Sequence, residues 1–424
     1  MLQPGVGARD SGIARHAPRL DRDARRDVLL DAAAVEFNAH GVSRASISRI
    51  AKAKGLTRAA VYYYFRDRDD LVFQAYRRSC EMMAADLAGA IAAGGDAMAQ
   101  LTAYIRRALD SNRPVPAVLS ELDYLKGEER ATIADAHAGN VETLRTVIRS
   151  GVEDGSIRPC DDEVVAQVIV GVIAWAPLTA EWLEGDDFSY RARTVEALVD
   201  LLVNGEAADP DFVFVSPVSI DGFFPPAPNP FDRAAVAEAK REHLLRTASQ
   251  VFNRRGVDGA SLDDVVRALG ATKGAFYHYL DNKTDLVVRC LERAATLYER
   301  IVDTADQHGR NGLEKACTGL YLLVQSQASG LSPLTQMAGS EALPGEVRRS
   351  MLRRNRAMQQ RYEGFGEQGL KEGGYRPMDF NAISQLGAGA FEWLPKWFDP
   401  ADPRADHLLA DEIVRLFTRG LRNR

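Results

Sequence analysis

The chain is 424 residues long, 46% hydrophobic and 26% charged, with a formal net charge of −6. That length exceeds what one hydrophobic core normally supports, so two or more domains are expected. The composition is that of a soluble globular protein, and the acidic total excludes a uniformly basic nucleic-acid binder. The charge is uneven, however. Arg22–Asp70 holds ten basic and seven acidic residues, and Arg233–Asp285 nine and seven, so the acidic excess lies outside these two segments.

Met1–Arg22 contains no apolar run, does not read as a secretory signal and is expected to be a disordered arm. From Arg26 to His40, Leu29, Ala33 and Phe37 recur on one helical face, and Gly41 supplies a C-terminal stop. Ser46 is placed to cap a second helix carrying Ile47, Ile50 and Ala51 inward. Gly55 breaks that helix, and a third short one runs from Thr57 to Phe65. Two short helices joined by a tight glycine turn behind a supporting helix describe a helix-turn-helix. The third helix offers Thr57, Arg58, Tyr62 and Tyr63. Arginine can fork onto guanine O6 and N7, and tyrosine hydroxyls reach phosphates. Ala59 and Ala60 between them let the helix sit close to a groove.

Helices are predicted next over Leu101–Ser111, Ala117–Lys126 and Glu129–Arg149. The most apolar stretch, Val164–Ala180, contains Gln167 and Pro177 between acidic flanks and is short for a bilayer. A buried helix over Val164–Trp182 is therefore expected rather than a membrane span, in a cytosolic protein. Asn204–Arg233 holds six prolines, resists helix and reads as a linker whose apolar island, Phe212–Val215, packs on a surface.

The second half repeats the first. A shift of 215 lays Arg26–Leu71 on Arg241–Leu286 without a gap, with 18 of 46 positions identical. Ser261, Gly270 and Thr272 repeat the punctuation, and the third helix becomes Thr272, Lys273, Gly274, Ala275, Phe276, Tyr277 and His278. A shift of 218 lays GVEDGSIRPCD at Gly151 on GLKEGGYRPMD at Gly369, and Gly171 and Trp175 on Gly389 and Trp393. The corresponding helices are predicted over Leu313–Ala328, Leu331–Ala342, Gly345–Glu367 and Phe380–Trp397. In each repeat a Gly precedes a Trp by four residues, which puts both on one helical face. Gly171, Trp175, Gly389 and Trp393 are thus expected to form an inter-repeat interface. The organisation expected is an arm (1–22), a head (23–71), a helical body (72–203), a linker (204–233), a second head (234–286) and a second body (287–424).

Cys80, Cys160, Cys290 and Cys317 are not at metal-ligand spacing, and no metal or cofactor is expected. Gly387-Ala-Gly389 lacks both the third glycine and the preceding strand of a dinucleotide loop, and no catalytic triad appears, so the chain does not read as an enzyme.

The segments GVSRASISRIAKAKGLTRAAVYYYFRDRDDL and GVDGASLDDVVRALGATKGAFYHYLDNKTDL resemble the DNA-binding domain of the tetracycline-repressor (TetR/AcrR) family. The shared pattern is a Gly, a Ser or Thr cap, an isoleucine-alanine pair, a second Gly, Tyr-x-His/Tyr-Phe, then Lys and Leu. The resemblance implies an all-α fold of two such units, each a head with a ligand-binding and dimerising body, arranged as a covalent pseudo-two-fold dimer. It implies DNA contact from Ser46, Thr57, Arg58, Ala59, Tyr62, Tyr63 and Arg68, and from Ser261, Thr272, Lys273, Gly274, Tyr277, His278 and Lys283. The family role is a transcriptional regulator, here a repressor that holds double-stranded operator DNA and is released by a small hydrophobic effector. Acyl-chain and acyl-coenzyme A effectors are the family analogy. Polar handles for such a pocket are expected at Asp123, Tyr124, Asn140, Tyr321, Gln325 and Glu341. The chain is expected to act as a monomeric pseudo-dimer or as a homodimer. The acidic total and Asp263–Asp264 in the second head favour an alternative, a tandem protein with only one or no functional head that acts as a protein-interaction or anti-repressor module.

Overall fold

The computed structural model describes residues 22–178, 188–272, 274, 282–335, 343–380, 383, 387–405 and 407–423, with the backbone alone for 188–192 and 405. The first head is α1 (Arg22–His40), α2 (Ile47–Ala53) and α3 (Arg58–Tyr64). Leu29, Phe37, Ile50, Val61 and Phe65 close its core. Ser46 Oγ accepts from Arg49 N at 3.3 Å and Thr57 Oγ1 from Ala60 N at 3.2 Å, so both helices start on side-chain caps. Gly41 and Gly55 turn the chain at φ of 74° and 66°, a region costly for any residue with a Cβ.

The first body is α4 (Arg68–Ala92), α5 (Ala97–Ala108), α6 (Gly127–Asp154), α7 (Asp162–Leu178) and α8 (Phe188–Asn204). The helix expected over Ala117–Lys126 is absent: residues 114–119 are irregular, and only Leu122–Tyr124 makes a 3-10 turn. Asn38 holds the segment's start in a non-helical course. Its amide donates to Pro116 O and its oxygen accepts from Val118 N, both at 2.9 Å.

Past the linker, the second head and body are α9 (Arg233–Arg255), α10 (Leu262–Leu269), α11 (Lys283–His308), α12 (Gly312–Ala328), α13 (Gly345–Lys371), α14 (Gly389–Glu392) and α15 (Leu408–Arg419). Asn253 repeats the clamp, donating to Pro333 O at 2.8 Å and accepting from Thr335 N at 2.9 Å. The helix expected from Leu331 therefore does not form over 331–335, and residues 336–342 lie outside the described set. The helix expected through Trp397 stops at Glu392 and tightens to a 3-10 turn over Leu394–Lys396, since Pro395 has no N–H to give.

Each head keeps a core of its own, but the bodies share one. Leu101, Ile148, Val165 and Ile169 pack in the same cluster as Leu322, Trp393, Leu409 and Ile413. The linker follows the second body: the Phe214 ring lies 6.1 Å from Tyr321, while Val213 and Val215 point outward.

Candidate nucleic-acid interface and ligand cavities

On the first head, Thr57, Arg58, Ala59, Tyr62 and Tyr63 are exposed along the start and outer face of α3, and Ser46 is half-buried at the start of α2. Tyr62 and Tyr63 are 40% and 67% exposed, far more than a packing role would leave them. The Arg58 guanidinium lies 5.8 Å from the Tyr62 ring centroid and 3.4 Å from its hydroxyl, a weak arrangement that a partner could displace. Lys52 and Lys54 are exposed at the end of α2 and widen the basic surface. They were missed because the sequence pattern draws attention to α3 alone. On the second head, Thr272 and Gly274 are exposed, and Ser261 caps α10. Lys273, Tyr277 and His278 lie outside the described residues.

The acidic pair of the second head has a structural use. In the first head the Ser46 N–H donates to Glu36 of α1 at 2.7 Å, and Glu36 also holds Arg49 at 2.6 Å. In the second head the equivalent Ser261 N–H donates to Asp264 at 2.9 Å, closing a capping box, and Asp264 holds Arg255 at 2.7 Å. The Ser261 hydrogen bonds, helped by Arg255, lower the Asp264 pKa to about 2.

Arg68 and Lys283, which the resemblance places beside phosphates, also brace their own heads. Arg68 donates to Val42 O, with its guanidinium 5.8 Å from the Tyr124 ring centroid, and Lys283 donates to Asp258 O at 3.2 Å. The turns they hold meet each other. Arg44 of the first head forms an ion pair with Asp258 of the second. Glu121, from the first body, accepts from Ser43 N and Oγ at 3.1 and 2.8 Å, and a Cβ on Gly256 of the second head would stand 2.6 Å from its Cγ. Lys396, from the second body, donates to Ser120 O beside it. Burial lowers the Lys396 pKa to about 8 against the pull of Glu121 and Asp123.

Behind the heads, α7 and α14 cross with their backbones in contact at a glycine pair, flanked by the Trp175 and Trp393 side chains. A Cβ on Gly171 would stand 2.5 Å from Gly389 O, and one on Gly389 would stand 2.6 Å from Gly171 O and 2.7 Å from Val172 Cα. Only glycine fits such a backbone-to-backbone approach. A second glycine pair joins the far ends. Gly205 after α8 and Gly420 after α15 adopt φ of 70° and 65°, and a Cβ on Gly205 would stand 2.2 Å from Thr418 O. The duplicated Arg-Pro motif seals this joint crosswise: Arg158 donates to Gly420 O at 2.7 Å, and Arg376 donates to Gly205 O. The motif was visible as a repeat, but its use was not, because each arginine acts on the other repeat.

Two cavities flank the crossing, and each borrows a tryptophan from the opposite repeat. The cavity of the first body is about 100 Å³ and is lined by Trp393; that of the second is about 250 Å³ and is lined by Trp175. The first holds Arg107, Arg113, Asp86 and His137, with Asp86 paired to both arginines. The second holds Glu206, Glu363 and Glu392, and no Lys, Arg or His among its described lining. The expected polar handles do not converge on either one. Asp123 pairs with Arg130 at 2.8 Å, Tyr124 Oη donates to Asp69 at 2.8 Å, and Asn140 donates to Cys80 O at 2.8 Å. Tyr321 and Gln325 line a separate space of about 750 Å³ under the linker, and Glu341 lies outside the described residues. Among the described residues no cluster could hold a metal ion, and no helix is long and apolar enough to cross a membrane.

The family model described as bacterial regulatory proteins, tetR family, matches residues 29–75 and again 244–290. The model described as a tetracyclin repressor-like C-terminal domain matches 96–205 and 323–421. The transcriptional repressor KstR2 of Mycolicibacterium smegmatis is 22% identical over 209 residues, which is 45% of this chain and 94% of that protein. KstR2 of Rhodococcus jostii is 27% identical over 159 residues, 36% of this chain and 78% of that one. Among solved structures, AibR in complex with isovaleryl coenzyme A and operator DNA is similar at 22% identity and a TM-score of 0.36, covering 42% of this chain and 96% of that one.

Proposed function

The chain belongs to the tetR family of bacterial regulatory proteins, and from that premise we propose that a single molecule spans one DNA operator with two non-identical heads. It is a sequence-specific transcriptional regulator, and in this reading a repressor working in the cytoplasm. The residues proposed to meet DNA are Ser46, Thr57, Arg58, Ala59, Tyr62 and Tyr63 on one side, with Lys52 and Lys54 beside them. Ser261, Thr272, Lys273, Gly274, Tyr277 and His278 are their counterparts. Arg58 is proposed to read a base edge and the tyrosines to fix register on the backbone.

The observation that carries this reading is the glycine crossing with its exchanged tryptophans. Gly171 against Gly389 supports a fixed mutual placement of the bodies, and Trp175 and Trp393 tie that placement to the contents of both cavities. A small molecule entering either cavity would push on the crossing, and a displaced crossing would move the heads. The test is footprinting on DNA upstream of the protein's own coding sequence, with and without candidate ligands. Protection of two adjacent major grooves that differ in sequence is expected. The interaction-module alternative is the less favoured reading; Asp264, one of the residues that suggested it, has a structural use in capping α10.

A further inference from the structure

The two heads touch, and the contact is built from unlike parts. The facing turns are equivalent in the repeat: Val42-Ser43-Arg44 follows α1, and Val257-Asp258-Gly259 follows α9. Identical copies would set like against like, whereas here Arg44 meets Asp258 as an ion pair. Glu121, only 4% exposed, lies against both turns. On one side it takes two hydrogen bonds from Ser43; on the other, its Cγ stands 2.6 Å from where a Cβ on Gly256 would lie. Five charges from all four parts of the duplicated chain act on one another at this point. Arg44 belongs to the first head, Glu121 to the first body, Asp258 and Lys283 to the second head, and Lys396 to the second body. Lys283 also donates to Asp258 O at 3.2 Å, and Lys396 to Ser120 O. Beside them, α9 of the second head packs on the 3-10 turn Leu122–Tyr124 of the first body.

We infer that Glu121 is a positioning residue for DNA reading: together with the Arg44–Asp258 pair it locks the turns of the two heads to each other and so sets the spacing at which the chain reads its operator. This rests on the reading that one chain spans one operator with both heads, and it names what holds their spacing. Each head closes a core of its own, so core packing does not fix one head against the other. The contact between the turns is what does. A lone ion pair with a half-exposed arginine would count for little. Joined to a buried carboxylate it becomes part of a network, and removing that carboxylate strands the Ser43 donors aimed at it. The lock is single by construction. The clamp that lays Val118 on Thr335 puts Ala338 at the position of Glu121 in the sequence, and the 218 shift puts Leu178 at that of Lys396. The second repeat therefore carries neither charge, and only a fused chain can hold such an unequal contact.

Two readouts on the full chain test this. Without DNA, hydrogen exchange is followed in the second head's turn, residues 256–260. Glu121→Gln and Arg44→Gln lie in the first repeat, yet each is expected to speed exchange in that turn by about tenfold, as loss of a local restraint does. Arg44→Lys, which keeps the charge, is expected to leave it unchanged. With DNA, binding is measured on the footprinted site and on a copy with two base pairs added between the half-sites, which turns one half-site by about a fifth of a helical turn. The wild-type chain is expected to bind the longer copy about twentyfold more weakly, and the two glutamine variants only about fivefold or less, within the usual range of coupling between two sites. Arg44→Gln, at a partly exposed position, keeps the test standing if Glu121→Gln does not fold. Exchange at 256–260 that is the same in wild type and in every folded glutamine variant overturns the inference. So does equal discrimination between the two spacings, including the case in which Arg44→Gln weakens both sites alike and acts only as a DNA contact. Footprints showing one head per site defeat the operator-spanning reading instead, while the exchange readout still decides whether the heads are locked.

Discussion

The two halves of the molecule agree where backbone must be held and differ where charge is displayed. Asn38 and Asn253 clamp the same loop in the same way, and the glycines at the two joints are paired one to one. Yet the capping carboxylate comes from α1 in the first head and from α10 in the second. The first cavity is small and holds two arginines, while the second is larger and acidic. Backbone closeness leaves no room for substitution, so duplicated copies keep it. Surface and cavity charges cost little to change, and once both copies sit in one chain nothing obliges them to match. A homodimer cannot make such a division, because a single sequence must serve both sides of its axis.

The largest effect should come from the feature the halves share. Gly389→Leu places a side chain against the Gly171 carbonyl and the Val172 backbone. Such overpacking costs about 3 kcal/mol, and the heads should lose their fixed separation. DNA affinity is expected to fall at least a hundredfold in a mobility-shift assay, with each head's amides still protected in hydrogen exchange. The asparagine clamps come next. Asn38→Ala and Asn253→Ala each strand a backbone N–H and a carbonyl, so each should destabilise the protein by about 1–3 kcal/mol in denaturant melts. If only one of the two variants is destabilised, the equivalence of the clamps fails.

The third comparison concerns DNA. Arg58→Ala should weaken binding by about 1–3 kcal/mol if it reads guanine, and should relax preference in one half-site only. Unchanged preference in a binding-site selection would remove that role. The smallest effect separates the two caps. Asp264→Asn should cost about 1 kcal/mol, as lost caps do. Asp264 titrates at about 2 when folded, against 3.8 ordinarily. Its contribution is therefore present above pH 3.8 and lost as pH falls through about 2. The Asn variant should lose that segment of the acid-stability curve. Glu36→Gln should cost more, since Glu36 is buried and serves both the Ser46 N–H and Arg49.

The heads were legible because their signals are local. Ser46, Gly55 and Thr57 state where helices start and stop, and the same punctuation recurs 215 residues later. The Gly171–Trp175 and Gly389–Trp393 spacing pointed to a close helix crossing, since glycine permits close helix approach and tryptophan supplies buried area. The pocket was not legible. Asp123 and Tyr124 were read onto a helix that does not form, its start being held irregular by the Asn38 clamp. The residues that do line the second cavity come from α7, the linker, α11, α12, α13, α14 and α15, with Trp175 and Glu206 arriving from the first repeat's side. No one-dimensional spacing encodes that convergence. Glu121, Arg44 and Lys396 escaped notice for the same reason: their partners lie in the other repeat or across the head–body boundary.

The central claim is that one chain carries both halves of a DNA-reading pair. The direct measurement is the mass of the protein–DNA complex on a footprinted site, by native mass spectrometry, with the site's sequence read alongside. The account predicts one chain per site, on an imperfect or asymmetric inverted repeat with half-site centres about 34–36 Å apart or a multiple of that. A strictly palindromic site occupied only by two chains, each using one head, would contradict it.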